Sequence, residues 1–180
     1  MGNTEWISTS TPYLTPPGSG RSDAWAADAA ARGAKGRQRI VHAGEVPAPE
    51  PVAGLLGLPR DEPVVVRRRI MYLDDTPCEL TDSYYPVAIA RGTPLAGTAR
   101  IPGGAVTLMA ELGHRGIRAQ EEVTARMPSE EERAALELGP GEPVLRLTRL
   151  TLAEGDRPVQ VELMTMSPRL QRLRYETRIG

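Results

Sequence analysis

Apolar and polar positions follow no clear pattern over residues 1–22, where Thr15-Pro16-Pro17-Gly18-Ser19-Gly20 reads as linker. A short helix is predicted from Ala24 to about Arg32, capped by Ser22 or Asp23 and stopped at Gly33, with Trp25 anchoring it to the rest of the fold. From Gly36 the pattern becomes regular. Residues 38–46 read as a strand closed by Pro47, and residues 49–56 as a short helix ended by Gly57. Residues 64–73 and 78–85 form a hairpin across Asp74-Asp75-Thr76, with Pro86 stopping the return strand. A helical turn follows at 87–91, then a helix at 105–112 behind Pro102-Gly103-Gly104, then a strand at 117–127. Ser129 and Glu132 stand in capping-box spacing and start a helix that runs to about Leu138. Residues 144–152 and 159–166 form a second hairpin across Glu154-Gly155-Asp156, and 173–178 is predicted as a last edge strand.

Hairpins with helices interspersed point to an α+β fold with a mainly antiparallel sheet. Two units are expected, an arm with a short helix over 1–35 and a domain over 36–180. Composition narrows this picture. The chain has 180 residues, 40% hydrophobic, with no phenylalanine, so its core is drawn from Leu, Val, Ile, Met and Ala. The net charge is −1, without the basic surplus of a chain that grips nucleic acid by itself, so no direct nucleic-acid binding is expected. Cys78 is the only cysteine, which excludes an internal disulfide and a CxxC metal site. No apolar run approaches a membrane span and no leader pattern is present, so a cytoplasmic protein is expected.

Enzyme signatures are scarce: there is no GxSxG, P-loop, HExxH, or GxGxxG after a strand. His42 and His114 stand far apart with no cysteine near either, and no metal or cofactor is expected. Candidate chemistry lies in the hairpins. Alternation sends Arg67 and Arg69 to one face of their strand and Arg68 to the other. A guanidinium inside the sheet needs a carboxylate from the protein or from a ligand, and Glu79, Glu122 and Glu162 are candidates. Thr81, Ser83 and Tyr85 share one face of the first hairpin, and Gln160, Glu162 and Met164 share one face of the second. Two such stripes either line a polar pocket or face water. Gly103-Gly104 ahead of a helix offers backbone N–H groups as an anion seat.

VVRRRIMYLDDTPCELTDSYYP (65–86) and EEVTARMPSEEERAALELGPGEPVLRLTRLTLAEGDRPVQVELM (121–164) together resemble the UTRA domain, the ligand-sensing half of HutC-type GntR-family transcription regulators. The resemblance covers about residues 36–178. It implies a chorismate-lyase-like α+β fold with a pocket on one sheet face, and homodimers. Arg69 matches a strand arginine that contacts effector in some members. Phosphosugar-binding members carry a second arginine where this chain has Met71, a glutamate at Thr81 and a serine near Ala105. A smaller or more apolar effector, carboxylate-bearing or partly apolar, is therefore expected. Ser83 and Tyr85 stand where members keep polar residues, and Gln160, with Glu162 two residues on, matches a late-strand glutamate. Polar contacts are expected from Arg69, Thr81, Ser83, Glu122, Arg126 and Gln160, with Met71 and Met164 as apolar wall. The resemblance finds no counterpart here for the winged helix-turn-helix of full-length regulators, which implies a stand-alone sensor with a separate DNA-binding partner. Two alternatives stay open: an enzyme on the same scaffold using Arg69 and Glu122, or an interaction module without a ligand.

Overall fold

A computed structural model of the chain describes residues 7–8, 14, 24–31 and 33–175. Strands β2 (Gly36–Pro47), β3 (Pro63–Leu73), β4 (Thr76–Pro86), β5 (Arg118–Arg126), β6 (Val144–Ala153) and β7 (Arg157–Met166) form one six-stranded sheet in the order β2-β3-β4-β7-β6-β5. Every neighbouring pair in it is antiparallel. The two predicted hairpins, β3–β4 and β6–β7, lie side by side through the β4–β7 pairing. Their turns need left-handed backbone, which Asp74 (φ 54°), Gly155 (φ 70°) and Asp156 (φ 57°) supply.

The alternating strands bury apolar side chains on both faces. On one face, α2 (Glu50–Leu56) packs Val52, Ala53 and Leu56 against Val64, Val66, Tyr84, Leu150 and Val161. The same face receives Leu136 and Leu138, which follow α5 (Glu130–Ala135) and meet Val144 and Leu80. On the opposite face, Val65, Tyr85 and Val159 pack with α3 (Val87–Ala90), the 3-10 turn at Pro94–Ala96, Ile101, and Met109 of α4 (Gly104–Glu111). Near the start of β2, α1 (Ala24–Ala31) seats Trp25 and Ala29 against Met71 and Cys78, and Trp25 Nε1 donates to the Tyr72 carbonyl at 3.1 Å.

Three expectations about elements change. The helix expected to reach Leu138 ends at Ala135, although its capping box forms as the spacing implies. The expected last edge strand is a two-residue strand, β8 (Arg172–Leu173), paired in parallel with β1 (Ile7–Ser8) and separate from the main sheet. Part of the expected linker arm is thus a strand, because Ile7–Ser8 finds a partner far along the chain. The proposed caps Ser22 and Asp23, and the end of the last predicted strand, lie outside the described residues.

Candidate functional site

The register sets three rows of side chains across one sheet face. Met71, Glu79 and Met166 form the first, Arg69, Thr81, Met164 and Leu147 the second, and Arg67, Ser83, Glu162, Arg149 and Glu121 the third. Paired positions in an antiparallel ladder share a face, so each row is contiguous. Above them lies a cavity of about 660 Å³. It is closed by residues 98–106 and, at the β2 end, by Trp25.

The floor is a neutral chain of two arginines and two glutamates. Arg69 Nη2 donates to Ser83 Oγ at 2.8 Å and to Glu162 Oε1 at 3.3 Å, and Ser83 Oγ donates to the same Glu162 oxygen at 2.8 Å. Arg149 Nη1 reaches Glu162 Oε2 at 3.0 Å, while its Nε donates to Glu121 Oε1 at 2.6 Å. Tyr175 Oη donates to the other Glu121 oxygen at 3.0 Å. Burial alone would raise the Glu162 carboxyl, but Arg149 and Arg69 outweigh it and hold the group below its ordinary range. Burial likewise opposes the charge on Arg149, and Glu162 and Glu121 more than restore it. Removing one member would strand an opposite charge in a dry place. Arg69 Nε is buried and has no hydrogen-bond partner, so this guanidinium is left with one donor unsatisfied.

Arg67 has a different task. Its Nη1 donates to the carbonyls of Pro94 (2.9 Å) and Gly97, and its Nη2 to that of Ala99 (3.2 Å). It ties the segment leading to the cavity's upper wall down to the sheet, and burial lowers its pKa. That wall continues through Arg100 and Ile101 to Gly103 and Gly104. Gly104 N–H already donates to the Ile101 carbonyl at 3.0 Å, so the expected anion seat has one donor fewer than two glycines suggest. Gln160 Nε2 donates to Tyr85 Oη at 3.1 Å, and burial pushes the Tyr85 phenol up to about 12.

Of the residues expected at the site, Arg69, Met71, Thr81, Gln160, Glu162 and Met164 line the cavity. Ser83 and Tyr85 lie buried beneath it as supports. Glu122 and Arg126 lie elsewhere. Glu122 is exposed opposite Thr148, on the other face, because it is Glu121 that pairs across to Arg149. Arg126 also turns to that other face, where Glu132 holds it by two bonds of 2.6 and 2.7 Å. Arg69 and Glu122 therefore do not converge, and the enzyme alternative loses its proposed acid. Arg149, Glu121, Arg67 and Glu79 were not among the expected contacts. An arginine between apolar neighbours, as in Leu147-Thr148-Arg149-Leu150, was the available signal for Arg149. Among the described residues no group of His, Cys, Asp and Glu side chains could hold a metal ion, and no helix is long and apolar enough to cross a membrane.

An antiparallel sheet carrying two adjacent hairpins, with helices over a cavity on one face, is the architecture of the effector domains of GntR-type regulators. The structure superposes on the effector domain of PhnF from Mycobacterium smegmatis with a TM-score of 0.74 at 19% identity, covering 88% of this chain and 96% of that one. The ligand-binding domain of a GntR-family regulator from Bordetella bronchiseptica gives a TM-score of 0.64 at 28% identity, covering 73% of this chain and 82% of that one. In sequence, an uncharacterized HTH-type transcriptional regulator of Streptomyces coelicolor is 35% identical over 109 residues, which is 59% of this chain and 40% of that protein's length. The UTRA domain family model matches residues 31–172, and the chain belongs to that family.

Proposed function

We propose that this chain is a non-catalytic, cytoplasmic sensor that takes a small molecule with an anionic head and a partly apolar body. Residues 36–180 would form the sensing domain and 1–35 an arm that passes its state on. The observation that carries this reading is Arg69: a guanidinium fixed by Glu162 and Ser83 at the floor of a 660 Å³ cavity, with its Nε unpartnered. Met71, Met164 and Leu147 supply apolar wall beside it, and Gln160 and Thr81 supply polar contacts. The family match supports assignment to transcription regulation, with a homodimer and a DNA-binding partner or segment as the expected context. Effector would act by its differential affinity for two settings of the arm. Because α1 places Trp25 in the cavity wall, occupancy reaches that arm directly.

The test is calorimetric titration with a panel of monocarboxylates of graded length. Arg69→Ala is expected to weaken the best binder by about 1.5–3 kcal/mol, the value of a charge-assisted hydrogen bond. Equal affinity in the variant would contradict the assignment.

A further inference from the structure

The cavity holds a second buried ionisable group, and its surroundings differ from those of Glu162. Glu79 is 8% exposed and lies one pleat from Arg69, in the row between Met71 and Met166. Its hydrogen-bond partners are neutral: the Thr81 hydroxyl donates to Oε1, and Gln171 Nε2 donates to Oε2 at 2.9 Å. Among the described residues no salt bridge reaches it, and Arg69 Nη2 is taken by Ser83 and Glu162. Charges from two strands act on it, Arg69 on β3 and Glu162 on β7, and the neighbouring Cys78 thiol on β4 is kept protonated and neutral by burial. A carboxylate here would be buried with two neutral donors and a second carboxylate nearby.

Gln171 supplies an independent sign. Its side chain is buried, and its Oε1 has no donor. Turning the amide over gives up the 2.9 Å bond that Nε2 donates to Glu79 and its long 3.4 Å contact to the Cys78 carbonyl. It sets Oε1 at the 2.9 Å position against Glu79 Oε2, where only an acid proton can join two oxygens. A proton on Glu79 then removes the buried charge and gives Gln171 Oε1 a donor, while the amide N–H groups take the position that Oε1 leaves.

We propose that Glu79 serves the cavity as a neutral carboxylic acid, and that this makes the recess beside Arg69 selective for a carboxylate headgroup whose binding requires the Glu79 proton. The proposal rests on the reading of the cavity as an effector site. With Glu79 neutral, the cavity beside Arg69 accepts a single negative charge. With Glu79 ionised, the same ligand meets a carboxylate one pleat away. Beside Arg69 a phosphate dianion is less well balanced than a carboxylate, because this guanidinium is already shared with Glu162; Arg37 and Arg100 line the cavity as well. The direction of the Glu79 pKa agrees with this: it is raised, chiefly by burial.

The experiment pairs spectroscopy with titration on the full chain. In the unliganded protein at neutral pH, infrared difference spectra of the wild type against Glu79→Gln should contain the carbonyl band of a protonated acid; its absence overturns the inference without reference to any ligand. Calorimetry then uses hexanoate, with hexyl phosphate and 1-hexanol as comparators. Hexanoate affinity in the wild type should fall by up to about tenfold per pH unit above the Glu79 pKa. Glu79→Gln should hold its affinity flat over the same range. A flat wild-type profile, or one that rises with pH, would overturn the inference even if the variant failed to fold. Tighter binding of hexyl phosphate than of hexanoate would overturn the headgroup assignment. An acid band present with no carboxylate bound at any pH would sink the effector reading instead, and the two failures are thereby told apart.

Discussion

Three consecutive arginines meet three fates, and the pleat decides each. Arg68 points to the face away from the cavity and meets Asp82 at 3.3 Å, half-exposed. Arg67 and Arg69 share the cavity face, but Arg69 finds a carboxylate and Arg67 only carbonyls. Alternation in the sequence gives the faces; it cannot give the partners, which come from β7 and from the 94–99 segment far along the chain. The same limit explains Glu79. Its position on β4 was legible, but not its lack of a direct ion pair, since Glu162 from β7 occupies Arg69 Nη2. Replacing Arg67 by Met should cost about 2 kcal/mol in denaturant unfolding, because three buried bonds to a charged donor are lost. Hydrogen exchange should rise across residues 94–99 in that variant. An unchanged exchange rate there would show that the segment holds without Arg67.

The elements carry their own constraints. The hairpins were legible because each joins two alternating strands across an acidic turn that tolerates left-handed backbone. Strand β5 was legible as a strand but not in its facing. Arg118–Arg126 has little apolar alternation, and as an edge strand it takes its parity from β6 alone. That is why Glu122 was expected where Glu121 stands. The seat of α1 depends on Gly36. A Cβ there would lie 2.8 Å from Ala29 Cβ and from the Trp25 carbonyl oxygen, so the helix could not sit as it does. Gly36→Ala should lower stability by about 1–3 kcal/mol and shift the Trp25 fluorescence, as overpacking of a close contact does. At the other end, Ser129→Ala breaks the capping box, in which Ser129 Oγ accepts from Glu132 N at 3.1 Å and Glu132 Oε2 accepts from Ser129 N at 2.8 Å. It should cost about 1 kcal/mol, measured by the urea midpoint.

At the scale of the whole molecule, ion pairs and the lone buried acid give stability a two-sided pH dependence. Arg126 holds the Glu132 carboxyl down at about 2, and Arg149 with Arg69 keeps Glu162 below its ordinary range. A carboxyl depressed in the folded state stabilises above its unfolded pKa and loses that contribution as pH falls toward its folded value. Thermal stability should therefore fall from about pH 4.3, the unfolded glutamate value, down toward about 2. Glu79 acts with the opposite sign: raised by burial, it favours the fold when protonated, and that contribution fades as pH rises through its folded pKa. Glu79→Gln should remove the loss on the alkaline side and leave the acid limb unchanged. The molecule as a whole is a sheet whose reverse face carries a packed apolar core under α2 and whose front face keeps a walled space over a balanced set of charges. The central claim is that this space holds an anionic guest. Native mass spectrometry of the protein purified from its own host, wild type beside Arg69→Ala, tests it most directly. The account predicts a wild-type mass increment from a small acid that is released on unfolding and missing from the variant; bare protein in both, or the same increment in both, would contradict it.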